Sequence, residues 1–487
     1  MMAAVAASAR LATAARPLLA TRPGRGEEVI AAVAFAALCV AVLLVAPMLV
    51  EPDDWAYRAS IVGVTDGHLG TLSAGQVHAL ASQLTRLLGG NAVGFVRGPR
   101  LFAIQQWTRL PDGHWISEKD PGYPFLAAPF QAIGLIRLAP LFYGALGCIG
   151  LFAGARRWLG RYGGAAAVGL YCSSGAALLF AWRDYMPTFT DASLIAAGTG
   201  ALLWAVLAQD ASRRRRLWTG FAAFVALELA TFARYTDVVV LGCAVVVVAL
   251  LRWRRPAALP PGAPAMWLGS AVIFGAGVLA FDTLVYGGPL RSGYRPGEIR
   301  FTLDSILPNL RLMPVHLLKA MPFFVLAVAA LAWITVRRVR LRRSPAENDL
   351  ATPTSADARQ QTASTSAVVR RDAAVALALG ASWISIWALY ATYSWTALPG
   401  LSTLQAARFY VPALGSIALL AAWLVTRLPG RPAVAGLTAA AVVAGLFGLG
   451  LWAFSEMTSF RLGSPHVLHG RPPPGGPGGV RRGPPPA

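Results

Sequence analysis

Of 487 residues, 56% are hydrophobic and only 13% charged, a mixture too apolar to cover an aqueous surface with polar groups. That excludes a soluble globular protein and leaves lipid as the missing surface. The formal net charge of +21 invites a nucleic-acid partner, but the arginines stand in short runs between apolar segments, at 213–216, 252–255 and 337–343. Such spacing orients membrane spans and is no nucleic-acid footprint.

In chain order, Arg10, Arg16, Arg22 and Arg25 belong to a cytoplasmic N-terminal segment, 1–27. They imitate the start of a signal peptide, but the apolar stretch from Val29 to Val50 is too long for one, and no small-residue cleavage site follows. It reads as an uncleaved first span. A helix crosses the hydrocarbon with about 20 apolar residues. On that rule spans are predicted near 28–50, 138–155, 163–181, 189–208, 217–234, 236–251, 265–286, 314–336, 373–393, 410–427 and 433–454. The expected fold is all-α: a polytopic transmembrane helix bundle over 28–455 with about 11 spans. The three arginine runs, together with Arg156, Arg157 and Arg161 and with Arg427 and Arg431, make five arginine groups, and all fall on one side when the N-terminus is inside and the C-terminus outside, which is the positive-inside arrangement. The segment 122–136 is apolar but short, and fits a re-entrant or interfacial helix.

The first loop, 51–121, is long and lies on the outer side in this topology. It contains a juxtamembrane helix signal: Ser73 and Gln76 form a capping box, and Val77, Leu80, Leu84, Leu87 and Leu88 form an apolar stripe stopped by Gly89-Gly90-Asn91. Residues 344–371 are polar and poor in aromatics, so a disordered cytoplasmic linker is expected there. The Pro/Gly-rich tail, 456–487, is expected to be disordered as well. Cys39, Cys148, Cys172 and Cys243 all fall in apolar segments without metal-ligand spacing and read as small buried hydrophobes. No histidine set has zinc-site spacing.

Two features carry chemistry. Asp53 and Asp54, in E-P-D-D-W-A-Y, leave the first span at the membrane interface, where they are expected to be exposed, either as solvated helix-terminating acids or as a general base with a like-charged neighbour. The loop closes on Glu118-Lys119-Asp120-Pro121-Gly122-Tyr123-Pro124, a rigid turn in which Lys119 either pairs with its acidic neighbours or reaches a phosphate.

A first span followed at once by acids, then a long loop closing on K-D-P-G-Y-P-F-L-A-A-P-F, resembles the start of the polytopic GT-C glycosyltransferases. E-L-A-T-F-A-R-Y-T-D-V-V-V-L, with Arg234 and Asp237, Y-G-G-P-L-R-S-G-Y-R-P-G at 286–297, and A-R-F-Y-V-P-A-L-G-S at 407–416 are similar to later segments of that family, in the same order. The likeness is greatest to a bacterial branch related to lipid-A mannosyl, arabinosyl and galacturonosyl transferases. It implies inverting transfer of a sugar from a polyprenyl-phosphate donor to a lipid or glycan acceptor of the cell envelope, on the outer face of a bacterial plasma membrane. The family's first-loop acid maps onto Asp53 or Asp54, although adjacent aspartates after a proline depart from its usual pattern. No cofactor is required by the resemblance; a divalent cation bridging Asp53, Asp54 and a donor phosphate stays open. A leaving phosphate needs cations, for which guanidinium is well shaped. The resemblance thus directs attention to Lys119, Tyr123, Arg183, Arg234, Arg295 and Arg408 as substrate or phosphate ligands. Local ion pairs, Arg183 with Asp184 and Arg234 with Asp237, are the structural alternative. Two other classes remain: a transporter or flippase of a lipid-linked substrate, which needs mid-span charges such as Glu228 or Asp282, and a non-catalytic membrane scaffold.

Overall fold

The computed structural model describes residues 25–46, 52–87, 106–110, 112–294, 297, 299–343, 356–427 and 432–459. Among them, seven helices are long and apolar enough to cross a membrane, or nine when each of two bent pairs counts as one span. Two shorter apolar helices lie at Val411–Val425 and Ala441–Ser455. Together these occupy every segment expected to be a span.

The helices are α1 (Arg25–Leu44), α2 (Pro52–Thr65), α3 (Ala74–Leu87), α4 (Gly122–Ala132), α5 (Leu138–Leu159), α6 (Gly163–Cys172), α7 (Gly175–Ala181), α8 (Thr188–Leu207), α9 (Arg213–Ala233), α10 (Val238–Arg254), α11 (Ala263–Tyr286), α12 (Ile306–Ala320), α13 (Phe324–Arg343), α14 (Ala356–Ala391), α15 (Thr403–Ala407), α16 (Leu414–Val425) and α17 (Pro432–Ser459). At the bundle centre, α5 crosses α8 at close range because both present glycine. A Cβ on Gly200 would stand 2.1 Å from the Gly150 carbonyl oxygen, and one on Gly154 would stand 2.5 Å from the Gly200 oxygen. Small residues let backbones approach where lipid supplies no hydrophobic drive between helices. At the periphery, α11 exposes Val272, Ile273, Leu279 and Leu284, as a lipid-facing helix must.

Two expected spans are broken. The segment 163–181 bends by 61° between α6 and α7: the Ser174 hydroxyl accepts from the Ala177 amide at 2.9 Å and starts a new helix. The segment 314–336 is not one helix either. Pro314 lies inside α12, and the chain turns by 108° between α12 and α13. The break falls at Met321, whose φ of −150° and ψ of 65° keep it out of the helical region that a following proline disfavours; here that proline is Pro322. The polar stretch 356–371, expected in a disordered linker, forms the first turns of α14. Residues 344–355, the N-terminal segment 1–24 and the tail from 460 lie outside the described residues. With 11 residues, α4 is about 16 Å long, too short to cross. It packs beside α2 instead.

The arginine runs gather at one end of the bundle. Arg156 and Arg161 of the α5 end lie 3.6 and 3.9 Å from Glu27 at the start of α1. Arg216 of α9 donates to the Ala205 carbonyl of α8 at 2.9 Å. Asp372 accepts from Trp158, Trp423 and Arg427, each at 3.1 Å.

The opposite end carries α2, α3, α4 and a three-stranded antiparallel sheet of β1 (Thr71–Leu72), β2 (Trp107–Arg109) and β3 (Trp115–Ser117), in the order β1-β3-β2. The capping box expected before α3 is present: the Ser73 hydroxyl accepts from the Gln76 amide at 3.3 Å, and the Gln76 side chain accepts from the Ser73 amide at 2.9 Å. Val77 is buried, and Leu80 packs in the same cluster.

Candidate active site

The two aspartates that adjoin in sequence part company in space. Both sit in the first turn of α2, a favourable place for negative charge, and both are buried, Asp53 at 8% and Asp54 at 1% exposure. The expected exposed interfacial pair is therefore corrected: a buried carboxylate is kept charged only by partners, and each has its own. Arg183 grips Asp54 with Nε to Oδ1 at 3.2 Å and Nη2 to Oδ2 at 2.7 Å. Asp53 accepts from Arg408 Nη1 at 2.6 Å on Oδ2, and from Gln106 Nε2 at 2.6 Å on Oδ1. Lys119 Nζ stands 3.2 Å from the same Oδ1. Burial pushes the Asp53 carboxyl up, but the Arg408 and Lys119 charges and the Gln106 hydrogen bond outweigh it and hold the group far below the usual carboxylate range. The oxygens of the two aspartates are thus committed to different cations. Among the described residues no three His, Cys, Asp or Glu side chains gather as a metal set.

Lys119 is placed by the sheet. β3 ends at Ser117, whose hydroxyl accepts from the Lys119 amide at 3.0 Å. Its ammonium reaches the Tyr294 hydroxyl at 3.3 Å and lies over the Tyr294 ring at 5.2 Å, so it leaves its sequence neighbours for Asp53 and the 286–297 loop. Two glycines hold this corner. A Cβ on Gly293 would come within 2.2 Å of the Ser117 oxygen, and one on Gly122 within 2.3 Å of the Phe232 carbonyl. The chain from Ser117 to Gly122 is thus pressed between the 286–297 loop and the end of α9.

Arg408 follows α15, which a Ser402/Gln405 capping box starts. Its guanidinium lies 4.9 Å from the Trp395 ring and 4.7 Å from the Phe409 ring, which fixes its plane. Arg234, at the end of α9, pairs through Nε with Asp191 at 2.8 Å, and donates to the Thr188 hydroxyl at 2.8 Å and to the Arg408 carbonyl at 3.0 Å. It braces the Arg408 backbone. The other expected residues divide differently. Arg183 is the buried partner of Asp54. Tyr123 is fully buried, donates its hydroxyl to the Asp184 carbonyl and packs edge-on against Tyr57 at 5.9 Å, so it is a packing residue. Arg295 lies outside the described residues. Glu228 accepts from Ser270 at 2.8 Å and Asp282 from Tyr235 at 2.8 Å.

Sequence reasoning missed Gln106, which has no motif around it, and Asp120, which was in view as half of a turn. Asp120 is half-buried. Burial raises its carboxyl to about 6 against the pull of Arg234, Lys119 and the Tyr235 amide, with Asp282 adding to the rise. Beside Lys119, a pocket opens between α2, the sheet and α4, lined by Val64, Leu69, Ile116, Pro121, Pro124 and Phe125 among others. Its wall is mostly apolar, and among the described residues that line it Lys119 is the one cation.

No family model matches the chain. No curated protein matches it either. Among solved structures, it is similar to the ArnT crystal structures from Cupriavidus metallidurans in the apo state and bound to undecaprenyl phosphate. Each is 17% identical and aligns over 90% of this chain and 66% of that one, with TM-scores of 0.48 and 0.47. The Archaeoglobus fulgidus oligosaccharyltransferase in the apo form aligns over 91% of this chain and 59% of that one, at 12% identity and a TM-score of 0.47. The chain spans less than two thirds of the length of each. Likeness at this level assigns no residue and no activity here.

Proposed function

We propose that the chain is a GT-C-type membrane glycosyltransferase that moves a sugar from a polyprenyl-phosphate donor to an envelope acceptor, with inversion. The observation that carries this reading is the convergence of two cations on Asp53. Two cations, Lys119 and Arg408, converge on one carboxylate, whereas the Arg183 fork is spent on Asp54 and Arg234 pairs with Asp191. Two cations converging on one carboxylate can take up an anion, and a small, mostly apolar pocket lies beside Lys119. Charge-assisted contacts to phosphate are among the strong hydrogen bonds, and donors already in place stabilise developing charge without reorganising. As the donor's phosphodiester becomes a phosphomonoester, negative charge grows beside Lys119 and Arg408. That is the differential binding that lowers a barrier.

The arginine runs at the far end support an inside location for that end, and so an outer-face site in a bacterial plasma membrane. Membrane lipid and the lipid or glycan acceptor are the partners in this reading; nucleic acid is not. The test is transfer by the purified full chain in nanodiscs. Labelled polyprenyl-phosphate sugars and a membrane-lipid extract should yield a labelled product and free polyprenyl phosphate. If no donor is consumed across hexose, pentose and uronate series, the transferase reading is overturned.

A further inference from the structure

Beside the site, α12 differs from its neighbours in direction and in surface. It turns 108° from α13, which is 18° past perpendicular. α13 needs no help to cross the hydrocarbon: its 20 residues, ending in an arginine run, are about 30 Å long, the thickness of that layer. With α13 along the membrane normal, α12 lies nearly in the membrane plane, at the end of the bundle that carries the site. Its two faces are unlike. Asn309, Met313, Leu317 and Ala320 are buried, at the spacing of one helical stripe. At 100° per residue the opposite sector holds Leu307, Leu310, Pro314 and Leu318, all exposed, with exposed Arg311 and Lys319 along one edge. An apolar stripe bordered by cations is the make-up of a helix that lies in a membrane interface, with the stripe in the acyl region and the cations reaching headgroup phosphate. After three residues α13 follows, and it too exposes Val325, Val328, Trp333 and Val336, so the stripe continues into a lipid-facing surface.

The other face of α12 holds the chain that leads to Arg408. Asn309 donates through Nδ2 to the Ala391 and Tyr393 carbonyls at 2.9 and 3.0 Å. At the start of α15, the Thr403 hydroxyl and His316 Nδ1 share a hydrogen bond of 3.1 Å. Just before α12, the Thr302 amide donates to the Thr392 carbonyl at 2.7 Å and the Ser394 amide to the Arg300 carbonyl at 2.9 Å, which makes the antiparallel bridge Phe301–Tyr393. Rings extend this line to the site: Phe301 stacks on Tyr393 at 5.2 Å, Tyr393 meets Phe409 edge-on at 5.2 Å, and the Arg408 guanidinium lies over Phe409 at 4.7 Å.

We propose that α12 is an interfacial helix seated on bilayer phospholipid in the leaflet on the site side, and that this seat supports the 391–403 segment leading to Arg408. The partner is the lipid surface itself: acyl chains against Leu307, Leu310, Pro314 and Leu318, and headgroup phosphate against Arg311 and Lys319. The seat does not depend on what the site transfers; it fixes where Arg408 stands relative to the membrane.

The experiment measures nitroxide depth by electron paramagnetic resonance, on the full chain in nanodiscs of phosphatidylglycerol and phosphatidylethanolamine. Labels are attached singly at Leu307→Cys, Leu310→Cys and Leu318→Cys, in a background with the half-buried thiols removed by Cys39→Ala and Cys243→Ala. From Leu307 to Leu318 a helix along the normal gains about 16 Å of depth, and one 18° from the membrane plane about 5 Å. All three labels should collide with oxygen far more than with a water-soluble nickel chelate, at depths that agree within about 5 Å. A ramp of about 16 Å would make α12 part of a span, access to the chelate would put the stripe in water, and closure to both reagents would put a second copy of the chain on it; each overturns the proposal. Support is read from a label at Leu398→Cys, an exposed position between Tyr393 and Thr403. It should gain mobility when Leu307, Leu310 and Leu318 are all changed to Ser, and not in Leu284→Ser on the lipid-facing side of α11. Asn309→Leu, which removes the two carbonyl contacts and leaves the stripe intact, should loosen the same label, so the support is tested even where the triple variant fails to accumulate. Unchanged mobility at this label overturns it.

Discussion

Arg408 Nη1 donates to Asp53 Oδ2 at 2.6 Å across 355 positions of sequence, and this contact closes the site end of the bundle. It brings the first turn of α2 against the segment that Arg234 braces from the end of α9.

Removing that guanidinium takes one of two cations from Asp53. Arg408→Ala should weaken productive donor binding by about 1.5–3 kcal/mol, the range for hydrogen bonds to charged groups, seen as a fall of roughly ten- to 150-fold in kcat/KM. Arg408→Lys should recover only part of it, because an ammonium lacks the plane that stacks on Trp395 and Phe409. Equal rates for wild type and the Lys variant would reduce Arg408 to a point charge.

The Asp54–Arg183 pair is structural. Both side chains are essentially inaccessible, so removing one partner strands a buried charge at a cost of about 3–5 kcal/mol. Asp54→Asn should lower the thermal midpoint in detergent sharply, while Asp54→Asn with Arg183→Met recovers much of it. Asp53→Asn should accumulate better, since Lys119 and Arg408 lie nearer to solvent. Equal midpoints for Asp53→Asn and Asp54→Asn would contradict the division of roles.

The clamp at Gly122 gives a steric prediction. A methyl there meets backbone at 2.3 Å, which no side-chain rotation relieves. Gly122→Ala should destabilise by about 1–3 kcal/mol and shift Lys119 and Asp120, cutting transfer more than tenfold. Gly275→Ala, with nothing within 4 Å, should be neutral on both counts. Differential scanning fluorimetry and the transfer assay read the contrast.

Asp120 also sets a pH dependence of stability. Its carboxyl is raised to about 6 in the folded protein, chiefly by burial, and lies near 3.9 when unfolded. Between these values the folded state holds more protons, so stability falls as pH rises through that window and levels off above it. Asn mimics the neutral form. The thermal midpoint of Asp120→Asn relative to wild type should therefore rise from pH 5 to pH 7.5. A constant difference would mean that Asp120 titrates normally.

Hydropathy located every apolar helix but was blind to the breaks at Ser174 and Met321, because one cap or one proline barely changes a window average. The polar start of α14 shows the converse: composition alone read 356–371 as a linker, although the stretch continues into an apolar helix. At the site, residue types were legible and pairings were not. Arg183 and Arg234 stand beside Asp184 and Asp237 in sequence, yet the fold carries them to Asp54 and Asp191, since a buried charge is matched by whatever the packing of remote helices brings near. The adjacency of Asp53 and Asp54 likewise suggested a pair, whereas neighbouring positions on a helix point about 100° apart. Asp120 was hidden by its turn, as P-G-Y-P after it explains the loop without any need for an acid.

The most direct measurement of the anion site is equilibrium binding of a short-chain polyprenyl phosphate to the purified protein in nanodiscs, by calorimetry, for wild type, Lys119→Ala, Arg408→Ala and the far-end variant Arg254→Ala. The account predicts saturable binding to wild type and Arg254→Ala, weakened at least tenfold by either Lys119→Ala or Arg408→Ala. Equal affinity in all four proteins would contradict the placement of the phosphate at Asp53.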